Sequence, residues 1–170
     1  MAVQRILQQL LGKLVEYVPV TVSAGAASAG QIPALNNAGT LDNSVMPSGV
    51  APDVIIANTS EALVSGAFVN IWSNAGAFAI RNADASVLGK EAHGFVLAAV
   101  ASGASATAQL SGINTGVTGQ VPGFVYLSAT TPGQSSAVAP GAAGQTVQNL
   151  GMAISATSIQ FDPQPSIAKN

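Results

Sequence analysis

The chain has 170 residues, 48% of them hydrophobic but only 7% charged, with a formal net charge of −2 and no cysteine. An ordinary domain is about 25% charged, so this surface has to be built from small neutral polar groups. Five basic residues argue against nucleic acid as a partner, and the lack of cysteine excludes disulfides, thiolate metal sites and thiol nucleophiles. So few charges near neutrality favour self-association, so the working form is expected to be an assembly. No apolar run approaches the roughly 20 residues of a transmembrane helix, so no membrane partner is expected. The apolar run after Arg5 is interrupted by Gln8, Gln9, Lys13 and Glu16, which is unlike an export signal, so synthesis in a cytoplasm is expected.

Residues 1–22 read as an N-terminal amphipathic helix or arm. Ile6, Leu7, Leu10, Leu11, Leu14, Val15 and Val18 recur in adjacent pairs at four-residue spacing, which makes one apolar stripe on a helix ended by Pro19. Gly12 weakens that helix, and the β-rich run from Val15 to Val22 also allows an extended arm. Either form needs cover from its own domain, from copies of itself or from a partner surface. A membrane-surface helix is disfavoured because the polar face is not rich in Lys or Arg.

Residues 23–53 are dominated by Gly, Ala, Ser, Pro and Asn with no sustained period, and read as an extended connector that cannot form a core alone. The run from Gln31 to Pro47, QIPALNNAGTLDNSVMP, is similar to connectors in bacteriophage virion proteins. In tail fibres and spikes such segments belong to intertwined trimers. The apolar anchors Ile32, Leu35, Leu41, Val45 and Met46 are too sparse for a private core; three copies could bury them against each other or against the domain.

Residues 54–170 read as a β-rich domain. Residues 67–73 alternate, with Ala67, Val69 and Ile71 on one face and Phe68, Asn70 and Trp72 on the other. Asn74-Ala75-Gly76 is a hairpin turn, after which Phe78 and Ile80 share one side. Residues 94–100, GFVLAAV, are apolar on both faces and predict a buried central strand. Residues 104–110 alternate, with Ala104, Ala106, Ala108 and Leu110 inward. Runs at 123–128, 147–155 and 158–161 are strands split by Gly, Pro, Ser and Thr. Phe124, Tyr126, Val147, Leu150, Met152, Ile154 and Phe161 are expected in the core, and Gly151 at a bulge or close approach. Eight to ten short strands with frequent turns predict a mainly β protein: a compact β-barrel or sandwich with an N-terminal helix or extended arm, assembled as a trimer.

The succession GAFVNIW (66–72), IRNADA (80–85), AHGFV (92–96), PGFVYLS (122–128) and GQTVQNLGMA (144–153) is similar to β domains of phage head decoration (cement) proteins and of some head or tail fibres. That resemblance implies a trimeric module bound to a capsid or fibre, without enzyme activity.

Candidate chemistry is sparse. His93 lacks a nucleophile-elbow or triad context and reads as a structural histidine. The carboxylates are scattered, matching neither a glycosidase pair nor a calcium loop. Arg81, Asp84, Lys90 and Glu91 are the densest charges, read either as a loop salt bridge or as intersubunit pairs fixing trimer register. Trp72 is claimed by the core ahead of a sugar platform.

The expectation is a bacteriophage virion protein on the capsid exterior, made in a bacterial cytoplasm. It would decorate and stabilise the shell as a homotrimer bound to the major capsid protein, with no catalytic residue, cofactor or metal. The contact residues expected are Ile6, Leu10, Leu14, Ile32, Leu35, Leu41 and Met46. The alternative is a fibre or spike component that binds a host-surface glycan.

Overall fold

The computed structural model of the chain describes residues 5–46 and 53–170. It divides into two compact units, Met1–Pro52 and Asp53–Asn170.

The first unit begins with a hairpin where a helix was one expectation. β1 (Ile6–Leu10) and β2 (Lys13–Tyr17) pair antiparallel, with Leu10 opposite Lys13 and Ile6 opposite Tyr17. The two turn residues, Leu11 and Gly12, have φ of 50° and 76°. Both therefore lie in the left-handed region, as a two-residue hairpin turn of type I′ requires. Gly12, which weakens a helix, takes this conformation at no steric cost. Adjacent apolar pairs that form one stripe on a helix fall on opposite faces of a strand. Ile6, Leu10 and Val15 thus share one face, and Leu7 and Leu14 the other. No α-helix occurs among the described residues; the helical pieces are two 3₁₀ turns, Gly25–Ser28 and Asn43–Val45.

Past the hairpin, hydrogen bonds set the path of the connector. Val20 donates to Ile32 C=O at 3.0 Å and accepts from Ala34 N–H at 2.8 Å. The Tyr17 hydroxyl accepts from Ile32 N–H at 2.8 Å. Asn36 Oδ1 accepts from the backbone of Ala38 and Thr40 and closes a local turn. The end of the connector motif at Pro47 lies outside the described residues.

In the second unit, β3 (Val54–Thr59), β4 (Phe68–Asn74), β5 (Ala77–Asn82), β6 (Gly94–Phe95) and β7 (Ser105–Gln109) form a closed barrel in the order β3-β5-β4-β6-β7. The predicted turn joins β4 to β5, with Ala75 at φ 51° and Gly76 at φ 88°. The barrel interior is filled by Leu63, Val69, Ile80, Val96, Ala106 and Ala108. The predicted alternation of residues 104–110 holds at Ala106 and Ala108, while Ala104 is exposed.

A five-stranded sheet follows, built from β8 (Gly112–Asn114), β9 (Gly123–Leu127), β10 (Ser135–Ser136), β12 (Asn149–Ser155) and β13 (Ser158–Phe161). Its order is β10-β9-β12-β13-β8. Beside it, β11 (Thr146–Val147) pairs with β14 (Ile167–Ala168). A second core lies between barrel and sheet. Phe161 from β13 meets Phe68 of β4 at 5.7 Å and Phe95 of β6 at 5.5 Å between ring centroids. Val125, Leu127, Leu150 and Ile159 complete it. The alternation of β4 therefore serves two cores, with Ala67 and Val69 in the barrel and Phe68 under the sheet.

Buried amides and bare backbone join the layers. Gln148 Oε1 accepts from Ala92 N–H at 2.7 Å and its Nε2 donates to Ala92 C=O at 2.9 Å, imitating a strand pair. Asn114 Nδ2 donates to Gly66 C=O at 2.9 Å. Gly66 and Gly116 touch backbone to backbone, and a Cβ on Gly66 would stand 2.5 Å from the carbonyl carbon of Gly116.

Two expectations are corrected by these placements. Of residues 94–100, only Gly94–Phe95 form a strand. Val96 stays buried, but the Leu97 carbonyl turns away to accept from the Ser65 hydroxyl at 2.8 Å, and Leu97 is exposed. Phe124, Met152 and Ile154 lie on the outer face of the sheet, not in the core. The β9–β12 register shifts between Asn149 and Gly151. That bulge places Leu150 and Gly151 both inward and reverses the parity of the residues after it. Gly151 is also a close approach as expected, since a Cβ there would collide with Gln160 C=O.

Two substitutions on this sheet check the inward and outward assignment. Phe161→Ala should cost about 3–5 kcal/mol in denaturant unfolding. Phe124→Ala should stay within about 0.5 kcal/mol. Equal effects would contradict the placement of the two rings.

Candidate functional site

The polar groups weighed as candidate chemistry are bonded within the fold. Among the described residues no three of His, Asp or Glu converge as a metal site. Exposed His93 accepts from Ile71 N–H through Nδ1 at 3.1 Å. Glu61 accepts from Asn82 N–H at 2.6 Å. Asp84 accepts from the Ser86 backbone N–H at 2.8 Å and from its hydroxyl at 2.6 Å.

Arg81, Asp84, Lys90 and Glu91 share one region but form no ion pair with one another among the described residues. The reading as a loop salt bridge is therefore not realised. Arg81 instead lies 4.5 Å above the centre of the Trp72 ring. Its Nε donates to Asn70 Oδ1 at 2.9 Å and its Nη2 to Gly89 C=O at 3.1 Å. Glu91 Oε1 accepts from Gly89 N–H at 3.3 Å. Trp72 belongs to neither core. It is half-buried on the barrel exterior, one face under a guanidinium, which is a cation–π contact of about 0.5–2 kcal/mol.

The apolar anchors of the first unit have no such partners. Ile6, Leu10, Leu14, Ile32, Leu35 and Leu41 are all exposed, Leu14 at 73%, and Met46 is half-buried. Leu7 and Leu11, part of the apolar stripe but not among the expected contact residues, are exposed as well, at 69% and 97%. Their signal was the paired apolar spacing itself, which a hairpin divides between two faces. No described residue from 5 to 46 is buried. Burying one such side chain is worth about 1.5–3 kcal/mol, and a contiguous exposed apolar surface is characteristic of an interaction site. The ion pair Arg5–Glu16 fixes one flank of the hairpin in solvent.

On the second unit a further apolar row runs across the outer sheet face, through Phe124, Met152 and Ile113, with Gln160 between the last two. Beside it is a shallow cleft of about 250 Å³ lined by Phe124, Asn149, Met152, Gln160 and Gln164. The bulge at Leu150 hid Met152 from sequence alternation, whereas Phe124 was assigned inward although its strand alternates regularly with Val125 and Leu127 buried.

Comparison with protein-family models, with curated proteins and with solved structures finds no match to this chain.

The turn at Asp42 offers a titration test of the connector. The Ser44 hydroxyl and backbone N–H donate to Asp42 Oδ1 at 2.6 and 2.9 Å and hold its carboxyl below the usual carboxylate range. A lowered native value means that this cap is fully present above the unfolded value of about 3.9. It is lost as pH falls through the lowered native value. Ser44→Ala should move the Asp42 titration, followed by NMR, back up toward the ordinary value; an unmoved titration would show that the cap is not formed.

Proposed function

We propose that this chain is a bacteriophage virion structural protein that decorates and stabilises the assembled capsid as a homotrimer. It binds the major capsid protein through its N-terminal unit on the outside of the shell. The observation that carries the reading is the contrast between the two units. Residues 53–170 contain two buried cores, while residues 5–46 have a defined hydrogen-bonded course and no buried residue. A segment with exposed leucines on both faces of a hairpin needs apolar surface supplied by other chains. Binding only the assembled shell stabilises that shell by mass action. A trimer that holds several capsid subunits at once adds avidity from linked contacts. Of the four charges expected between copies, Lys90 and Glu91 are half-buried and unpaired with each other and could fix register, whereas Asp84 is buried on Ser86 and Arg81 is held by Trp72, Asn70 and Gly89.

A second reading, a fibre or spike component that binds a host-surface glycan, is favoured by one observation. The cleft beside exposed Phe124 gathers carboxamides from Asn149, Gln160 and Gln164, and an aromatic face with amides suits a neutral sugar.

Removing residues 1–50 should abolish binding to emptied capsids while the remaining domain unfolds cooperatively as before. A truncated protein that still decorates capsids at full occupancy would overturn the arm-anchored reading. Adhesion of the full chain to host cells, weakened by Phe124→Ala, would favour the fibre reading instead.

A further inference from the structure

The barrel wall is paired along only part of its length. β3 pairs with β7 at five positions, from Val54 opposite Gln109 to Asn58 opposite Ser105. Its parallel pairing with β5 has two, Asn58 beside Ala79 and Thr59 beside Ile80. Ser60 N–H then donates to Ile80 C=O at 2.9 Å. Toward their beginnings the two strands part. A cleft of about 360 Å³ opens between them, lined by Ile56, Asn58, Asn74 and Phe78 among others.

Strand alternation decides which backbone groups face this seam. Thr59 N–H donates to Ala104 C=O and Thr59 C=O accepts from Gly103 N–H, both on the β7 side. Val54 and Ile56, of opposite parity, direct their N–H and C=O groups into the seam. Ile80 C=O faces β3, so Phe78, two residues earlier, does as well. The next rung, Phe78 N–H to Ile56 C=O, would pair Ala57 with Phe78, and that pair is not formed. Ile56 and Phe78 are also 68% and 78% exposed. The seam is thus an unpaired, apolar, uncharged strand edge, with no Lys or Pro in residues 54–57 to blunt it. Such an edge is a template for another strand.

The N-terminal hairpin has the matching edge. Leu10 and Lys13 close its two-residue turn as a hydrogen-bonded pair, so Gln8 and Ile6 bond to β2. Leu7 and Gln9 then direct their backbone groups away from the hairpin. β1 is five residues long and uncharged, whereas β2 carries Lys13 and Glu16. Among the described residues the hairpin is a two-stranded sheet, and β1 has no second neighbour.

We infer that β1 of one copy adds as a strand to the open β3 edge of a second copy, with Leu7 against Ile56 and Phe78. The contact joins different surfaces of the two copies, the kind of interface that generates a ring when its rotation closes. It deepens the assembly reading above by naming the residues through which copies meet.

The cysteine-free chain permits a direct test. Leu7→Cys chains co-expressed with Ile56→Cys chains and mildly oxidised should yield a disulfide-linked pair at twice the chain mass. Leu7→Cys with Val138→Cys, 76% exposed but away from the seam, should not. Equal cross-linking in both mixtures, or none with Ile56→Cys, overturns the contact. Ile56→Pro removes an N–H that has no partner among the described residues, and edge strands tolerate proline. It should abolish self-association without loss of the thermal unfolding transition. Leu7→Pro, which acts from the other side of the contact, should do the same. Assemblies that persist in both proline variants overturn the inference. Trimers that decorate shells without Leu7 reaching Ile56 would sink this contact and spare the assembly reading, whereas a chain that never self-associates would sink both.

Discussion

Phe161, wedged between Phe68 and Phe95, is the contact on which the second unit depends. Phe68 and Phe95 belong to barrel strands but point outward, while Val69 and Val96 beside them point into the barrel. β4 and β6 are therefore walls of two cores at once. Disturbing their outer face alters the barrel as well as the sheet, because protein interiors transmit strain. The aromatic contact also requires the two layers to lie close. Gly66 against Gly116 permits this, and the Gln148 carboxamide paired to Ala92 satisfies backbone that would otherwise be buried without partners.

That layering is confined to residues 53–170. The first unit places its apolar residues on two opposite faces of a hairpin and on a connector whose described hydrogen bonds, such as Val20 to Ile32 and Ser23 to Ser44, stay within the unit. A two-stranded hairpin is marginal alone in water. The composition points the same way, since so few charges do little to keep exposed apolar surface apart from other chains. An incomplete unit is thus joined to a complete one. The complete unit holds both buried cores, and the incomplete one has none among its described residues. The open seam between β3 and β5 gives the complete unit an unfinished edge of its own.

Much of the second unit was legible from local chemistry. Asn74-Ala75-Gly76 reads as a turn because only a left-handed pair closes a two-residue hairpin, and Ala106 and Ala108 alternate as half-buried strands do. The first unit was harder to read, because pairs such as Ile6-Leu7 and Leu10-Leu11 satisfy a helical stripe and a two-faced hairpin equally. The Leu11-Gly12 turn decides between them, and leucine at positive φ carries no warning in sequence. Alternation also failed at Leu150, where one extra residue reverses every later side chain, so Met152 and Ile154 emerge on the surface. Ile6, Leu10, Leu14, Ile32, Leu35 and Leu41, named from sequence as contact residues, are exposed, but the sequence could not reveal the seam. That seam depends on how far two distant strands stay parallel, which local pattern does not encode.

On the proposed function, the chain finishes its structure by associating with others. Light scattering or sedimentation of the purified full chain across a range of concentrations measures this directly. A homotrimer would give a particle of three times the 16.8 kDa chain mass. A monomer at every concentration would contradict it.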